Sequence, residues 1–152
     1  MNAFVVRHAK AGHRHSWEGD DRLRPLSRAG WAQAQAIAER LGREPITSLH
    51  ASPYARCVQT LEPLAARLGM KVSEDDRLAE GAPLEDTLAL LHEAGDGGVL
   101  CSHGDVIPEL IEALHRRGME VPGRPDWRKA TIWILELDGD AVVHGGVEPP
   151  PV

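Results

Sequence analysis

Two kinds of apolar patterning alternate along the chain, and together they predict its architecture. Short unbroken apolar runs bounded by polar residues, Phe4-Val5-Val6 and Val99-Leu100-Cys101 above all, read as strands buried on both faces. Ile46 to Ala51 predicts a second strand, and Met70 to Ser73 a short third one. Between these runs lie longer stretches with helical spacing and recognisable caps. Ser27 as N-cap and Gly42 as stop bracket a helix over Ala29 to Leu41. Ser52 followed by Pro53 opens a helix from Pro53 towards Leu68, closed by Gly69, with Pro63 expected to kink or split it. Further helices are predicted from Leu84 to Ala94 and from Asp105, as cap, through His115. Thr131 to Leu137 and Ala141 to Val143, separated by Asp138-Gly139-Asp140, predict a hairpin at the sheet edge.

Strands that alternate with helices predict an α/β fold, a single three-layer domain over residues 1–147 with a largely parallel central sheet and helices on both faces. Residues 148–152 are proline-rich and predict a flexible tail. Lys10 to Pro25, rich in His, Gly, Asp and Arg, predicts a loop long enough to be functional. The length of 152 residues suits one ordinary domain. No apolar run approaches a membrane span, and the first strand follows Met1 too closely to leave room for a signal peptide. With only Cys57 and Cys101, the chain is expected in a reducing cytoplasm and without a disulfide framework. Both cysteines read as small core residues, as do Trp31, Trp127 and Trp133. Trp17 lies in the long loop and either lines a pocket or covers surface.

A net charge of −6 excludes a general nucleic-acid binder, whose affinity depends on neutralising phosphates. The arginines nevertheless cluster near particular turns, at Arg7, Arg22, Arg24, Arg28 and Arg56, so a local anion site is expected. Three strand ends carry polar residues: Arg7-His8 after the first, Ser52 to Arg56 after the second, and Ser102-His103-Gly104 after the fourth. In a parallel sheet those ends face the same way, where ligands of open α/β sheets bind. Two arginines and two histidines on one rim suit a compact dianion, because guanidinium forks match phosphate oxygens. His13 and His15, with Asp20 and Asp21 behind them, do not by spacing alone supply the convergent ligands of a metal site.

Arg7-His8-Ala9, the Ser-Pro-x-x-Arg-Cys-x-Gln-Thr run at 52–60, Leu78-Ala79-Glu80 and Ser102-His103-Gly104, in that order, resemble the histidine phosphatase superfamily. The short chain without a large cap insertion, and the Arg24-Pro25-Leu26-Ser27 segment, are most similar to its SixA-type phosphohistidine phosphatases. The phosphatase domains that some bacteria fuse to Nudix domains are also similar. The resemblance implies a phosphoglycerate mutase-like fold and a metal-independent, cofactor-free phosphatase working through a covalent phosphohistidine. His8 would be the nucleophile, Arg7, Arg56 and His103 would hold the phosphoryl oxygens, and Glu80 would pass the proton. The superfamily's commonest signature has Gly where this chain has Ala9, a change frequent in the SixA-like branch. Lys10 and Arg24 either extend the substrate-binding rim or are solvated loop cations. The implied substrates are phosphohistidine proteins or small phosphorylated metabolites, including nucleoside di- and triphosphates. A non-catalytic phosphate-binding module is the other functional class, and intact His8, Arg7, Arg56 and His103 weigh against it. A mutase reading is weaker, since the added segments of those enzymes are missing.

Overall fold

Six strands form one sheet in the computed structural model, which describes residues 1–152. They are β1 (Asn2–Arg7), β2 (Ser48–Ala51), β3 (Val72–Glu74), β4 (Gly98–Ser102), β5 (Ile132–Asp138) and β6 (Ala141–Glu148). Their order across the sheet is β3-β2-β4-β1-β5-β6. The first four are parallel, β5 runs antiparallel to β1, and β6 antiparallel to β5. Helices α1 (Arg28–Leu41) and α2 (Ala55–Leu68) cover one face, burying Ile37, Leu41, Leu61 and Leu64 against Phe4, Val6, Leu49 and Val99. Helices α3 (Leu84–Ala94) and α4 (Val106–Arg116) cover the other, where Leu90, Leu110 and Ile111 meet Val5, Leu100 and Trp133. The three layers follow from strands that are apolar on both sides, so each face needs its own pair of amphipathic helices.

The strands β2 and β3 start two residues later than expected, at Ser48 and Val72, and four further departures have a physical reason. Helix α2 begins at Ala55 rather than Pro53, because the Ser52 hydroxyl is spent on His103 at 2.8 Å instead of capping the helix. Pro63 does not split α2, which is continuous through it, with the fully buried Leu61 and Leu64 on either side. Asp105 does not cap α4 through its side chain, which instead accepts a hydrogen bond from the Gly81 amide at 2.8 Å. Strand β6 continues past Val143 to Glu148. Its Gly145 lies close to Met119: a Cβ there would lie 2.9 Å from the sulfur, so the methionine would have to shift. Glu148 itself takes both oxygens to Arg40 of α1, at 2.8 Å for the shortest contact, and the Val152 carbonyl accepts from Gln33 at 3.3 Å.

The sheet order places three functional strand ends side by side. Register pairs Val6 and Ala51 with Cys101, and Arg7 with Ser102. One step further along the chain, His8 and His103 stand next to each other at the carboxyl edge, with rings 5.5 Å apart and 64° between planes. No helix is long and apolar enough to cross a membrane.

Candidate active site

A cleft of about 1110 Å³ opens over the carboxyl ends of β1, β2 and β4. It is lined by all seven residues singled out in the sequence: Arg7, His8, Lys10, Arg24, Arg56, Glu80 and His103. His8 is buried, and its Nδ1 lies 2.8 Å from the Ala9 carbonyl. A carbonyl only accepts, so Nδ1 carries the hydrogen and, in the neutral ring, the lone pair sits on Nε2. Burial, and behind it the charges of His103, Arg56 and Arg7, push the His8 pKa down to about 3 despite the bond to Ala9. The ring is therefore neutral at ordinary pH, the state in which an imidazole nitrogen keeps its lone pair.

Three donors surround it with nitrogen atoms that find no protein partner: Arg7 Nε, Arg56 Nε and His103 Nδ1. Trp133 Nε1, in the core, is the fourth such atom of the molecule. The rest of each donor is anchored. Arg7 Nη1 donates to the Trp127 carbonyl, and Gly104 leaves room for the guanidinium, since a Cβ there would lie 2.8 Å from Arg7 Cζ. His103 Nε2 is 2.8 Å from Ser52 Oγ and 3.6 Å from Cys57 Sγ, and the Tyr54 ring packs edge-on at 4.7 Å. Arg56, 1% exposed, donates to the Asp21 carbonyl and carboxylate at 3.0 and 3.1 Å and to Glu80 Oε1 at 2.8 Å. Burial alone would raise the Asp21 pKa, but hydrogen bonds and charge from Arg24 and Arg56 outweigh it and hold the carboxyl below its usual range.

Glu80 is set by two ties. Ser102 Oγ donates to the Leu78 carbonyl at 2.6 Å, and Asp105 holds the Gly81 amide. Its Oε1 stands 3.6 Å from His103 Nδ1, so Glu80 shares one wall of the cleft with His8, His103 and Arg56. The Gln59 and Thr60 side chains stitch the loops: Thr60 Oγ1 accepts from the Ala9 amide at 2.9 Å, and Gln59 Oε1 from the Leu26 amide at 2.8 Å.

The two doubtful cations differ. Arg24 is buried and occupied, donating to Asp21 at 2.9 Å and to the Gly12 carbonyl at 2.5 Å, so it fastens the long loop as well as lining the cleft. Lys10 is exposed on the rim. Trp17 is not a lining residue, and its indole donates to Asp20 within the loop. Trp127 and Trp133 stack at 5.3 Å. His13 reaches the cleft, but no group of three or more His, Cys, Asp or Glu converges as a metal site would require. Sequence reasoning missed Asp21, Arg14 and Lys129. Asp21 and Arg14 belong to the long loop, and only its 3₁₀ turns at Arg14–Ser16 and Asp21–Leu23 bring them to Arg56 and Glu80. Lys129 comes from a loop at the far end of the chain.

Comparison with known proteins agrees with this geometry. The family description "Histidine phosphatase superfamily (branch 1)" matches residues 3–86. An 8-oxo-(d)GTP phosphatase of Mycolicibacterium smegmatis is 41% identical over 97% of the chain, which spans 48% of that relative's length. The chain thus covers about half of this curated relative. Among solved structures, the protein histidine phosphatase SixA complexed with tungstate superposes with a TM-score of 0.78, covering 99% of this chain and 97% of that one at 23% identity. A mycobacterial glucosyl-3-phosphoglycerate phosphatase superposes at 0.72, covering 97% of each at 20% identity. Both share the phosphoglycerate mutase-like fold.

Proposed function

The chain belongs to the histidine phosphatase superfamily (branch 1), and from that premise we propose a metal-independent phosphatase in which His8 Nε2 carries the phosphoryl group. The observation that supports this reading best is the set of unpartnered donors, Arg7 Nε, Arg56 Nε and His103 Nδ1, around a histidine kept neutral. They match the three equatorial oxygens of a phosphoryl group in flight, and fixed donors at developing charge account for most catalysis of this kind. In the first step the Nε2 lone pair attacks phosphorus, the bond to the leaving oxygen breaks, and Glu80 supplies that oxygen's proton. In the second, water attacks the phosphohistidine, the N–P bond breaks with its electron pair returning to His8, and Glu80 takes the water proton. Phosphate and the dephosphorylated product leave.

Phosphohistidine proteins and small phosphorylated metabolites both fit an open cleft of this size. The name of the M. smegmatis relative favours a nucleotide among the metabolites. Phosphate release should be measured for wild type and His8→Ala from a phosphohistidine carrier protein, a nucleoside diphosphate and an aryl phosphate, with chelator present. Release from at least one, reduced about a thousandfold or more in His8→Ala, is the expected result. No release from any, with phosphate still raising the melting temperature, would make the protein a binding module instead.

A further inference from the structure

Two cleft cations, Arg14 and Lys129, are employed by neither the sequence motifs nor the mechanism above, and of these only Arg14 is paired, with Asp21 and Glu80. Lys129 lines the same cavity as His8, Arg7 and Arg56, yet comes from the loop before β5. At about 1110 Å³ the cavity is on the scale of sites for whole small molecules, about 300–1000 Å³, and not of a lone phosphoryl group.

The carboxylates of this wall already have partners. Asp21 is taken by Arg24, Arg56 and Arg14, and Glu80 by Arg56 and Arg14. Asp105 receives the Gly81 amide. The acid nearest Lys129 in sequence, Asp126, forms a bidentate pair with Arg128. Lys129 is left without a carboxylate, facing Arg7, Arg24, Arg56 and Arg14, whose charges add to burial in lowering its pKa.

The backbone holds it there. Ala130 is fully buried and adopts φ 67°, unique among the non-glycine residues. A costly conformation of this kind persists where its surroundings over-determine it. The Ala130 amide donates to the carbonyls of Arg7 and His8 at 3.1 and 3.2 Å, and the Arg7 amide to the Thr131 carbonyl at 3.1 Å. The Trp127 carbonyl accepts from the Arg7 guanidinium. The loop is thus sewn to the end of β1 on both sides of Lys129, which fixes the point from which its exposed side chain reaches the cleft.

We propose that Lys129 binds a second phosphoryl group, joined through a bridging oxygen to the one that His8 attacks, and so selects phosphoanhydrides over simple monoesters. This rests on His8 being the nucleophile. When Nε2 bonds to the terminal phosphorus, the bridging P–O bond breaks and its electron pair stays on the departing phosphate. Lys129 neutralises that charge, so this leaving group needs no proton from Glu80. Water then releases the terminal phosphate from His8 as before.

Two measurements separate this proposal from the phosphatase reading beneath it. In turnover, kcat/KM of wild type, Lys129→Ala and Lys129→Arg is compared on a nucleoside diphosphate and an aryl phosphate. Lys129→Ala is expected to lose about tenfold more on the diphosphate than on the aryl phosphate, as suits a partly solvated charge, with Lys129→Arg recovering most of it. Equal losses on both, or none, overturn the proposal. In binding, inorganic pyrophosphate and orthophosphate are titrated into His8→Ala with and without Lys129→Ala. A preference for pyrophosphate that disappears with Lys129 supports the proposal even if no substrate is turned over, and a preference that survives overturns it. Turnover that persists in His8→Ala removes His8 as the nucleophile, while the pyrophosphate titration still reports on Lys129 as a second phosphate site.

Discussion

His8 is kept neutral by its surroundings and not by the pH of the solution, which has two measurable consequences. Its folded pKa of about 3 lies below its ordinary 6.5. As pH falls the unfolded chain therefore takes up a proton first. Stability linked to His8 is complete above about pH 6.5 and is lost towards about pH 3, at about 1.4 kcal/mol per pH unit. Between about pH 7 and about pH 5 the wild type should lose about 2 kcal/mol through this residue, and His8→Asn should show a correspondingly flatter denaturant-midpoint profile. For the same reason kcat should show no acid limb near pH 6.5, and one found there would place the titration on another group. Arg7 carries a second residue-level prediction. Its guanidinium lies between the Trp127 carbonyl and Gly104, where a Cβ would approach to 2.8 Å. Gly104→Ala should cost about a hundredfold in kcat/KM by displacing that fork, with little change in melting temperature. His8, Arg7, Arg56 and His103 were legible in the sequence because each ends a strand or opens the helix after one. Lys129 and Asp21 were not, because their chemistry exists only once distant loops fold back onto β1 and α2.

Among the elements, helix α1 is set against the loop leaving β1 by one residue without a side chain. A Cβ on Gly30 would lie 1.9 Å from the Lys10 carbonyl oxygen, which also accepts from the Ser27 amide at 3.0 Å. Helix propensity favours Gly30→Ala by about 1 kcal/mol, whereas a clash with backbone costs more, about 3 kcal/mol of stability. Destabilisation in a denaturant titration is the expected sign, and stabilisation would mean that the loop yields. The same kind of contact governed what could be read from sequence at this scale. Helix α3 occupies Leu84–Ala94 as its pattern predicts, and Ser27 caps α1 through the Gly30 amide at 3.1 Å. Local signals are faithful where the capping groups have no competing partner. They mislead where tertiary contacts outbid them: the Ser52 hydroxyl goes to His103, Asp105 to Gly81, and Gly145-Gly146 conceals a strand packed closely on Met119.

At the scale of the whole molecule, global and local charge point in opposite directions. The chain carries −6, yet the cleft lining holds six Lys and Arg, Arg7, Lys10, Arg14, Arg24, Arg56 and Lys129, against the two carboxylates Glu80 and Asp105. The fold produces that inversion: parallel β1, β2 and β4 bring three basic strand ends to one edge, and the loops before α1 and β5 add the rest. Which charge an incoming phosphate feels is decided by distance. At low ionic strength, about 10 mM, the Debye length is about 30 Å and the whole chain's negative field reaches the substrate. Near 150 mM it falls to about 8 Å, so only the cleft charges nearest the substrate act on it. If the cleft dominates, added salt screens an attraction, and KM for a dianionic substrate rises several-fold while kcat stays nearly constant. If the net charge dominates, salt screens a repulsion and KM falls. The six cations line the cleft and most acidic residues lie outside it, so the rise is expected. A fall in KM across that range would show that the inversion of charge at the cleft is too shallow to steer substrate.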